Sequence, residues 1–411
     1  MDRTRRFLMV TLNASGNWPP ELALIRALAQ RGHTVRVLQE AELAPQITAA
    51  GAEYCPYPTV APRDRTVRRD TSPQGELDHQ IRMNYLNPAY GDDLRTEVGR
   101  FAPDVLLVDR MLMAAAVAAE STGLPTALLW HTIYGAWMST TPATSAAVRD
   151  PLNILRAQHG LARVPDVRRS LEQAHAILAF TYEAFDMPLP DAPRYLHYVG
   201  PLACLPQPLP PYTWPWPPED ARPLILVSYS TSFQNQVPVL QRVAEAVAPL
   251  PVRILMTLGT RIATDELRLP PNVVAAPFVP HAAVLGQTRL VVTHAGHGTV
   301  MAAVTAGVPM VCTPMGRDQY AISGCVERLG LGRVASMTAP PEELRQTLMA
   351  ALADEALHAR ARTFAARLDV EAGLARALEV LETLQVPEAS RDTSERATTI
   401  SRGEHGRLSE P

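Results

Sequence analysis

The chain contains 411 residues, of which 47% are hydrophobic, and its formal net charge is −3. This length predicts two domains, each with its own hydrophobic core. The small negative charge gives no electrostatic basis for binding nucleic acid, so no nucleic-acid partner is expected.

The four cysteines are scattered and form no Cys-x-x-Cys pair, which argues against a metal site or a disulfide framework and fits a reducing compartment. The short apolar run at 7–12 is too short for a signal peptide. No apolar run approaches the roughly 18 residues of a membrane span. We therefore expect a cytoplasmic protein without a membrane span, and the sequence leaves a homodimer open.

Strands and helices alternate along the first half of the chain. The predicted strands lie at 7–12, 34–38, 104–109 and 125–130, and the predicted helices at 20–31 and 113–121. Repeated β-α-β units predict a parallel sheet. Residues 56–78 lack periodicity and are interpreted as a surface loop, and 138–162 as helical in part.

A second α/β series follows the proline-rich stretch 201–223, which is interpreted as a stiff linker. Its predicted strands lie at 224–228, 253–258, 272–275, 290–293 and 308–312, and its predicted helices at 237–248, 300–306, 342–352 and 355–384. Two α/β halves predict an α/β fold with a ligand cleft, because open parallel sheets bind ligands at the carboxyl ends of their strands.

The segment 294–299, His-Ala-Gly-His-Gly-Thr, lies directly between a strand and a helix. A helix N-terminus presents free N–H groups and favours negative charge. Glycines let the backbone approach a ligand closely. Together with the downstream segment 314–319, this turn indicates a diphosphate-sugar site rather than a dinucleotide site.

Three segments resemble those of the antibiotic- and natural-product-type glycosyltransferases of family 1 (GT1), which have the GT-B fold. They are 277–281, 293–309 and 314–319. The resemblance implies two Rossmann-like domains that face each other across a cleft. It also implies inverting transfer of a sugar from a nucleotide diphosphate donor to a small hydrophobic aglycone, with no metal and no other cofactor. The predicted parts are an acceptor-binding domain at 1–205, a linker at 206–222, a donor-binding domain with C-terminal helices at 223–385, and a disordered tail at 386–411.

The resemblance also implies a set of donor-binding residues. These are Thr231, Phe278, Val279, His281, His294, Gly296, Gly298, Thr299, Asp318 and Gln319. Phe278 would stack on the base and the Val279 main chain would read its edge. His294 and the N–H groups of the helix start would bind the leaving diphosphate in place of a metal. Asp318 and Gln319 would hydrogen-bond the sugar hydroxyls.

Ala302 is a departure from the family pattern. Many members that use UDP-sugars have a glutamate there, which binds both ribose hydroxyls. Because deoxyribose lacks the 2′-hydroxyl, the alanine favours a dTDP-sugar.

Asn17 is a second departure, because members usually have the catalytic base, a histidine, at this position of the first turn. An amide accepts no proton near neutral pH, whereas the supporting carboxylate is present as Asp109. Three explanations remain open: Asp109 acts as the base directly or through water, another group such as His131 replaces it, or the acceptor needs little help. We favour Asp109 together with an activated acceptor such as a phenol, whose pKa is about 10.

The first half also contains apolar side chains that are candidates for an acceptor pocket. They are Trp18, Met83, Met111, Tyr134 and Trp137. A structural alternative exists for Asn17, since asparagine is a good helix N-cap and Pro19 or Pro20 suits the first turn.

Two rival functions differ from the favoured one. The first is a GT-B transferase that acts on a lipid-linked intermediate, for which the arginines at 63–69 would supply a membrane-facing patch. The second is a catalytically degenerate partner protein that binds nucleotide sugar. Asn17 favours this second rival, and the intact donor blocks argue against it.

Overall fold

A computed structural model describes residues 4–14, 16–61, 75, 79, 81–135, 142–188, 192–205, 212–229, 235–259 and 261–385. Four features of the sequence analysis lie outside these ranges: Thr231, Trp137, the arginine cluster at 63–69, and the tail 386–411. No helix in the described part of the chain is long and apolar enough to cross a membrane.

The first half of the chain forms a seven-stranded parallel sheet with the order β3-β2-β1-β4-β5-β6-β7. Its strands are β1 Arg6–Val10, β2 Thr34–Gln39, β3 Glu53–Pro56, β4 Val105–Asp109, β5 Thr126–Trp130, β6 Ala176–Ala179 and β7 Leu196–Tyr198. The central strands are nearly continuous apolar runs, because helices cover both faces of a parallel sheet. The order reverses between β1 and β4, which opens a crevice at their carboxyl ends.

Helices of the first half connect these strands. They are α1 Trp18–Gln30, α2 Ala44–Ala49, α3 Pro88–Phe101, α4 Met113–Thr122, α5 Pro142–Gln158 and α6 Val167–Leu171. Helix α1 carries prolines in its first turn, where their missing N–H groups cost nothing. The turn after it contains Gly32, whose φ of 84° is left-handed.

The second half forms a six-stranded parallel sheet with the order β10-β9-β8-β11-β12-β13. Its strands are β8 Leu224–Ser228, β9 Arg253–Thr257, β10 Val273–Ala276, β11 Thr288–Thr293, β12 Met310–Cys312 and β13 Gly332–Val334. Its order reverses between β8 and β11. Both sheets therefore have the doubly wound, Rossmann-like arrangement, as predicted.

Helices of the second half follow the same alternation. They are α7 Val237–Val247, α8 His281–Val284, α9 His297–Ala306, α10 Gln319–Arg328, α11 Pro341–Ala353, α12 Glu355–Ala365 and α13 Val370–Thr383. The sequence predicts one helix over 355–384, and this prediction is wrong. The structure has two helices, and the side chain of Asp369 accepts a hydrogen bond from Ala372 N and so begins the second one.

Helix α13 returns to the first sheet and packs into its core through Ala377, Leu378 and Leu381. The Arg5 guanidinium donates to the carbonyl oxygens of Leu381 (3.3 Å) and Leu384 (2.8 Å). The predicted second domain, 223–385, therefore ends on a helix that belongs to the core of the first sheet. This crossing ties the two halves together.

The two halves also share buried contacts. Tyr182, in the first half, shares a 3.0 Å hydrogen bond with Thr305 of α9. The Arg328 guanidinium at the end of α10 donates to the Phe185 and Asp186 carbonyl oxygens at 3.1 and 2.8 Å. These contacts join the segment that follows β6 to the last turns of helices α9 and α10.

Candidate active site between the two sheets

The two crevices meet in a direct contact. Thr132 follows β5 by two residues, and its hydroxyl donates to the Asp318 carboxylate at 2.5 Å. Asp318 lies on the loop between β12 and α10. The contact brings together the predicted acceptor side and the predicted sugar-binding loop.

Asn17 and Asp109 form the first contact of the acceptor side. The Asn17 amide nitrogen donates to Asp109 Oδ2 at 3.0 Å, and the Met111 backbone N–H donates to Oδ1 at 2.8 Å. The Asp109 side chain is fully buried. Asn17 is at the N-cap of α1 but makes no capping hydrogen bond. The capping explanation for Asn17 is therefore wrong, and its side chain is positioned by the carboxylate.

Glu21, which the sequence analysis missed, lies beside this pair. It is four residues after Asn17 on α1, so that both side chains face the same way. Its Oε1 is 3.0 Å from His131 Nε2, and its Oε2 accepts from the Thr11 hydroxyl at 2.5 Å. Complete burial, offset in part by His131, raises the pKa of Glu21 to about 7.

His131 is held by carboxyl oxygens on one edge of its ring and is unpartnered on the other. Nε2 is also 3.5 Å from Asp109 Oδ2, so it carries the hydrogen and Nδ1 carries the lone pair. Within the described part of the chain, the buried Nδ1 has no hydrogen-bond partner. Leaving a buried acceptor unpaired costs about 1–3 kcal/mol, which marks this atom as one that a ligand would satisfy.

The same three groups could in principle hold a metal ion. One ligand atom each from Glu21, Asp109 and His131 lies within 4.8 Å of the others. Hydrogen bonds among these side chains and with Thr11 and Asn17 already account for the close spacing. In the described structure, these side chains form one buried hydrogen-bonded network.

His294 is the first residue of the predicted diphosphate-binding turn. Its ring stacks on Tyr229 with centroids 5.7 Å apart, and burial lowers its pKa to about 4. The ring lies against Gly296, where an added Cβ would come within 2.6 Å of its Cε1 atom. Glycine is therefore required at this position so that a neutral imidazole can occupy the turn.

Helix α9 begins three residues after His294, at His297. Its N-cap, Gly296, makes no side-chain capping bond, and Gly298 and Thr299 lie in the first turn at exposed and half-buried positions. The N–H groups of such a turn lack partners within the helix and attract anions. His297 begins the helix, and burial lowers its pKa to about 4, with Asp318 raising it and His131 lowering it. Side chains from both halves of the chain, Asp318 and His131, therefore affect the pKa of His297.

Gln319 is fixed to the loop that precedes α10. Its Oε1 accepts from the N–H groups of Met315 and Gly316 at 2.8 and 3.1 Å. The side chain is 2% exposed. The structure thus places Gln319 and Asp318 side by side on the predicted sugar loop and gives both of them protein partners.

Phe278 is the most exposed large hydrophobic residue of the described chain, at 71%. Such a ring suits a stacking partner. Val279, next to it, is buried. His281 Nε2 is 3.0 Å from the Ser228 hydroxyl at the end of β8, and burial lowers the pKa of this histidine to about 4. The histidine thereby connects the Phe278 segment to the end of the central strand.

The apolar candidates for the acceptor pocket separate into two groups. Trp18 and Tyr134 are core residues. Trp18 packs under α1 and donates to the Gln46 side chain at 2.8 Å, and Tyr134 packs edge-on against Trp130. Both are packed in the core, and their role as acceptor contacts stays a prediction. Met83 and Met111 are half-buried, and the Met111 sulfur lies 3.5 Å from the Asn17 amide nitrogen.

Comparison with known proteins shows what the chain is similar to. Residues 241–377 match the erythromycin biosynthesis protein CIII-like C-terminal domain. The chain is 29% identical over 397 residues to the zeaxanthin glucosyltransferase of Pseudescherichia vulneris, covering 88% of this chain and 93% of that enzyme. It is 26% identical over 402 residues to the oleandomycin glycosyltransferase of Streptomyces antibioticus, covering 91% and 89%. The solved structure of the glycotransferase of kitacinnamycin superposes with a TM-score of 0.78 at 26% identity, covering 94% of this chain and 100% of that one.

These likenesses extend over both sheets, and the matched family domain includes the turn that carries His294. The resemblance noted in the sequence is thereby confirmed. The chain has the GT-B fold and is similar over most of its length to natural-product glycosyltransferases.

Proposed function

We propose that this enzyme transfers a sugar from a dTDP-sugar to a small hydrophobic aglycone, with inversion at the anomeric carbon and without a metal. The observation that carries the proposal is the 2.5 Å contact between Thr132 and Asp318. It joins an edge rich in proton-transferring groups to an edge that suits an anionic leaving group. A nucleophile activated on one edge and a diphosphate held on the other support a single in-line displacement, which inverts the anomeric carbon.

The donor edge supports departure of a diphosphate without a metal. The first turn of α9 offers backbone N–H groups, and His294 lies beside them. Preorganised donors of this kind stabilise charge as it develops on a leaving group. We expect turnover to survive treatment with EDTA, whereas loss on chelation and recovery with Mg²⁺ or Mn²⁺ would contradict metal independence.

Ala302 supports a deoxyribose donor. It lies in α9 and is half-buried among apolar neighbours, so its methyl group offers nothing to a ribose 2′-hydroxyl. The fold accommodates this nucleotide, since the spinosyn rhamnosyltransferase complexed with thymidine diphosphate superposes with a TM-score of 0.64 at 20% identity. That likeness concerns the fold alone, so the proposed preference for a dTDP-sugar rests on Ala302.

A hydrophobic aglycone is supported by the half-buried Met111 next to Asn17 and by Met83. Methionine side chains adapt to apolar ligands of irregular shape. The relatives named for zeaxanthin and oleandomycin also act on natural products. A lipid-linked acceptor finds no comparable support among the described residues.

The test is a product analysis with matched donors. Wild-type enzyme and the Ala302→Glu variant are each given dTDP-glucose and UDP-glucose with a panel of phenolic acceptors, and the products are identified by mass spectrometry and NMR. We expect wild-type enzyme to favour dTDP-glucose and to form β-glycosides, and the variant to shift toward UDP-glucose. Equal or better use of UDP-glucose by wild-type enzyme would contradict the donor assignment. Tight dTDP binding with neither transfer nor donor hydrolysis would favour a degenerate binding protein.

A further inference from the structure

We propose that His131, oriented by Glu21, is the base that deprotonates the acceptor in place of the absent histidine at position 17. The proposal rests on the proposed function, because it concerns the proton that the acceptor loses. His131 would accept that proton on Nδ1. Glu21 acts through His131 and is a positioning residue.

The geometry supports this assignment from both edges of the imidazole. On one edge, Nε2 faces Glu21 Oε1 at 3.0 Å and Asp109 Oδ2 at 3.5 Å. On the other edge, Nδ1 is buried and unpartnered within the described part of the chain. The ring is also in contact with Phe180, with centroids 4.9 Å apart. A ring held in this way has a fixed tautomer and a lone pair ready for a proton, the arrangement of an activated general base.

A second buried histidine of the first half, His33, uses both of its ring nitrogens and so contrasts with His131. His33 Nε2 is 3.0 Å from Glu382 Oε1, which reproduces the His131–Glu21 distance. Its Nδ1, however, accepts a hydrogen bond from the Arg5 backbone N–H at 3.2 Å. Both nitrogens of His33 are therefore used by the fold, whereas one nitrogen of His131 is left for a ligand.

Asp109 is less suited to direct contact with the acceptor. It is fully buried, and its two oxygens already accept from Met111 N and the Asn17 amide. His131 is also linked to the donor side of the cleft. The next residue, Thr132, binds Asp318, and the charge of His131 acts on His297 at the start of α9.

The step balances as a single displacement. The acceptor O–H bond breaks and its proton passes to Nδ1, while the oxygen lone pair forms the bond to the anomeric carbon. The bond from that carbon to the diphosphate breaks, and its electron pair leaves with dTDP. The imidazolium that forms is stabilised by the carboxyl groups of Glu21 and Asp109.

The principal experiment uses full-length His131→Asn with dTDP-glucose and phenolic acceptors of graded acidity. The matched control is His33→Asn, which removes the other buried histidine that faces a glutamate. We expect His131→Asn to lower kcat by about 100-fold or more while the dTDP dissociation constant stays within about twofold of wild type. The loss should shrink as the acceptor becomes more acidic, a trend that a structural role would not produce. The His33 control should retain wild-type kcat.

A rescue variant separates chemistry from folding. Asn17→His in the His131→Asn background returns a base to the first turn, and we expect it to recover at least about tenfold in kcat. Wild-type kcat in His131→Asn with normal dTDP binding would overturn the assignment, as would a loss that is the same for every acceptor. Failure of the proposed function looks different, because wild-type enzyme itself would then form no product from dTDP-glucose.

Discussion

The carboxyl-end edges of the two sheets have the same topology but opposite chemistry. On the first sheet, Glu21, Asp109 and His131 are buried and bound to one another. On the second sheet, His294 is a neutral imidazole beside a helix N-terminus, and the ring of Phe278 is exposed. In the proposed function, the first edge handles the acceptor's proton and the second receives the diphosphate and the nucleobase of the donor. Two like folds thus acquire different roles through a few side chains at the same topological position.

The largest expected effect is the loss of turnover in Asp109→Asn, which changes only the first edge. The change removes the charge that orients Asn17 and that would stabilise a protonated His131. We expect turnover to fall by roughly 10²–10⁴-fold, the range for loss of positioned acid–base chemistry. Steady-state product formation measures it, and near-wild-type turnover would refute a role for this carboxylate.

Gly296→Ala tests the opposite edge. The new methyl group would lie within 2.6 Å of the His294 ring, which is buried and cannot easily move away. Overpacking of this kind costs about 1–3 kcal/mol, so we expect dTDP to bind roughly 10–100-fold more weakly. Isothermal titration calorimetry measures the affinity. Gly324→Ala on α10 is the control, because a Cβ there meets nothing within 4 Å; equal affinities in both variants would contradict the expectation.

Phe278→Ala should have a smaller effect on the same edge. Stacking of a base on an aromatic ring contributes about 1–3 kcal/mol, and we expect roughly a tenfold loss of dTDP affinity. Because the ring is 71% exposed, thermal stability should not change. Met349→Ala removes an exposed apolar side chain elsewhere, on α11, and serves as the control. Unchanged dTDP affinity in Phe278→Ala would remove the ring from the donor site.

The smallest effect concerns the protonation of Glu21. Burial raises its pKa from 4.5 to about 7, so between these pH values the folded state binds more protons than the unfolded state. The group therefore makes the protein less stable as pH rises through this window, and Glu21→Gln removes that loss. We expect the thermal midpoint of Glu21→Gln, relative to wild type, to rise by about 2–4 °C between pH 5.5 and 7.5.

The control for this measurement is Glu343→Gln, which changes an exposed carboxylate on α11. Its midpoint, relative to wild type, should stay constant over the same pH range. A constant offset for Glu21→Gln as well would show that Glu21 is ionised throughout.

Local patterns in the sequence correctly predict the strand, turn and helix around His294. The strand, the His-Ala-Gly-His-Gly turn and the helix that follows are adjacent in the chain, so their geometry follows from spacing alone. The proximity of Asn17 and Asp109 is also confirmed, at 3.0 Å. The fold class is equally accessible, because β-α-β repeats leave few alternatives.

The acceptor edge depends on contacts between distant residues and is less predictable. Glu21 looks like an ordinary residue of the first turn of a helix until His131, 110 positions later, meets it. The return of α13 to the first sheet likewise depends on Arg5, which reaches Leu381. Trp18 and Tyr134 show a related difficulty, since a sequence does not distinguish aromatic residues that pack in the core from those that also contact a ligand.

The central claim is that the first edge acts on the acceptor and the second edge binds the donor. The most direct test is the dTDP dissociation constant of Asp109→Asn, measured by calorimetry on enzyme whose turnover has been lost. We expect a value within about twofold of wild type, because this carboxylate affects the acceptor's proton through His131 and Asn17 and does not contact the diphosphate. A dTDP affinity that falls as far as in Gly296→Ala would show that the two edges are not separate, and would contradict the account.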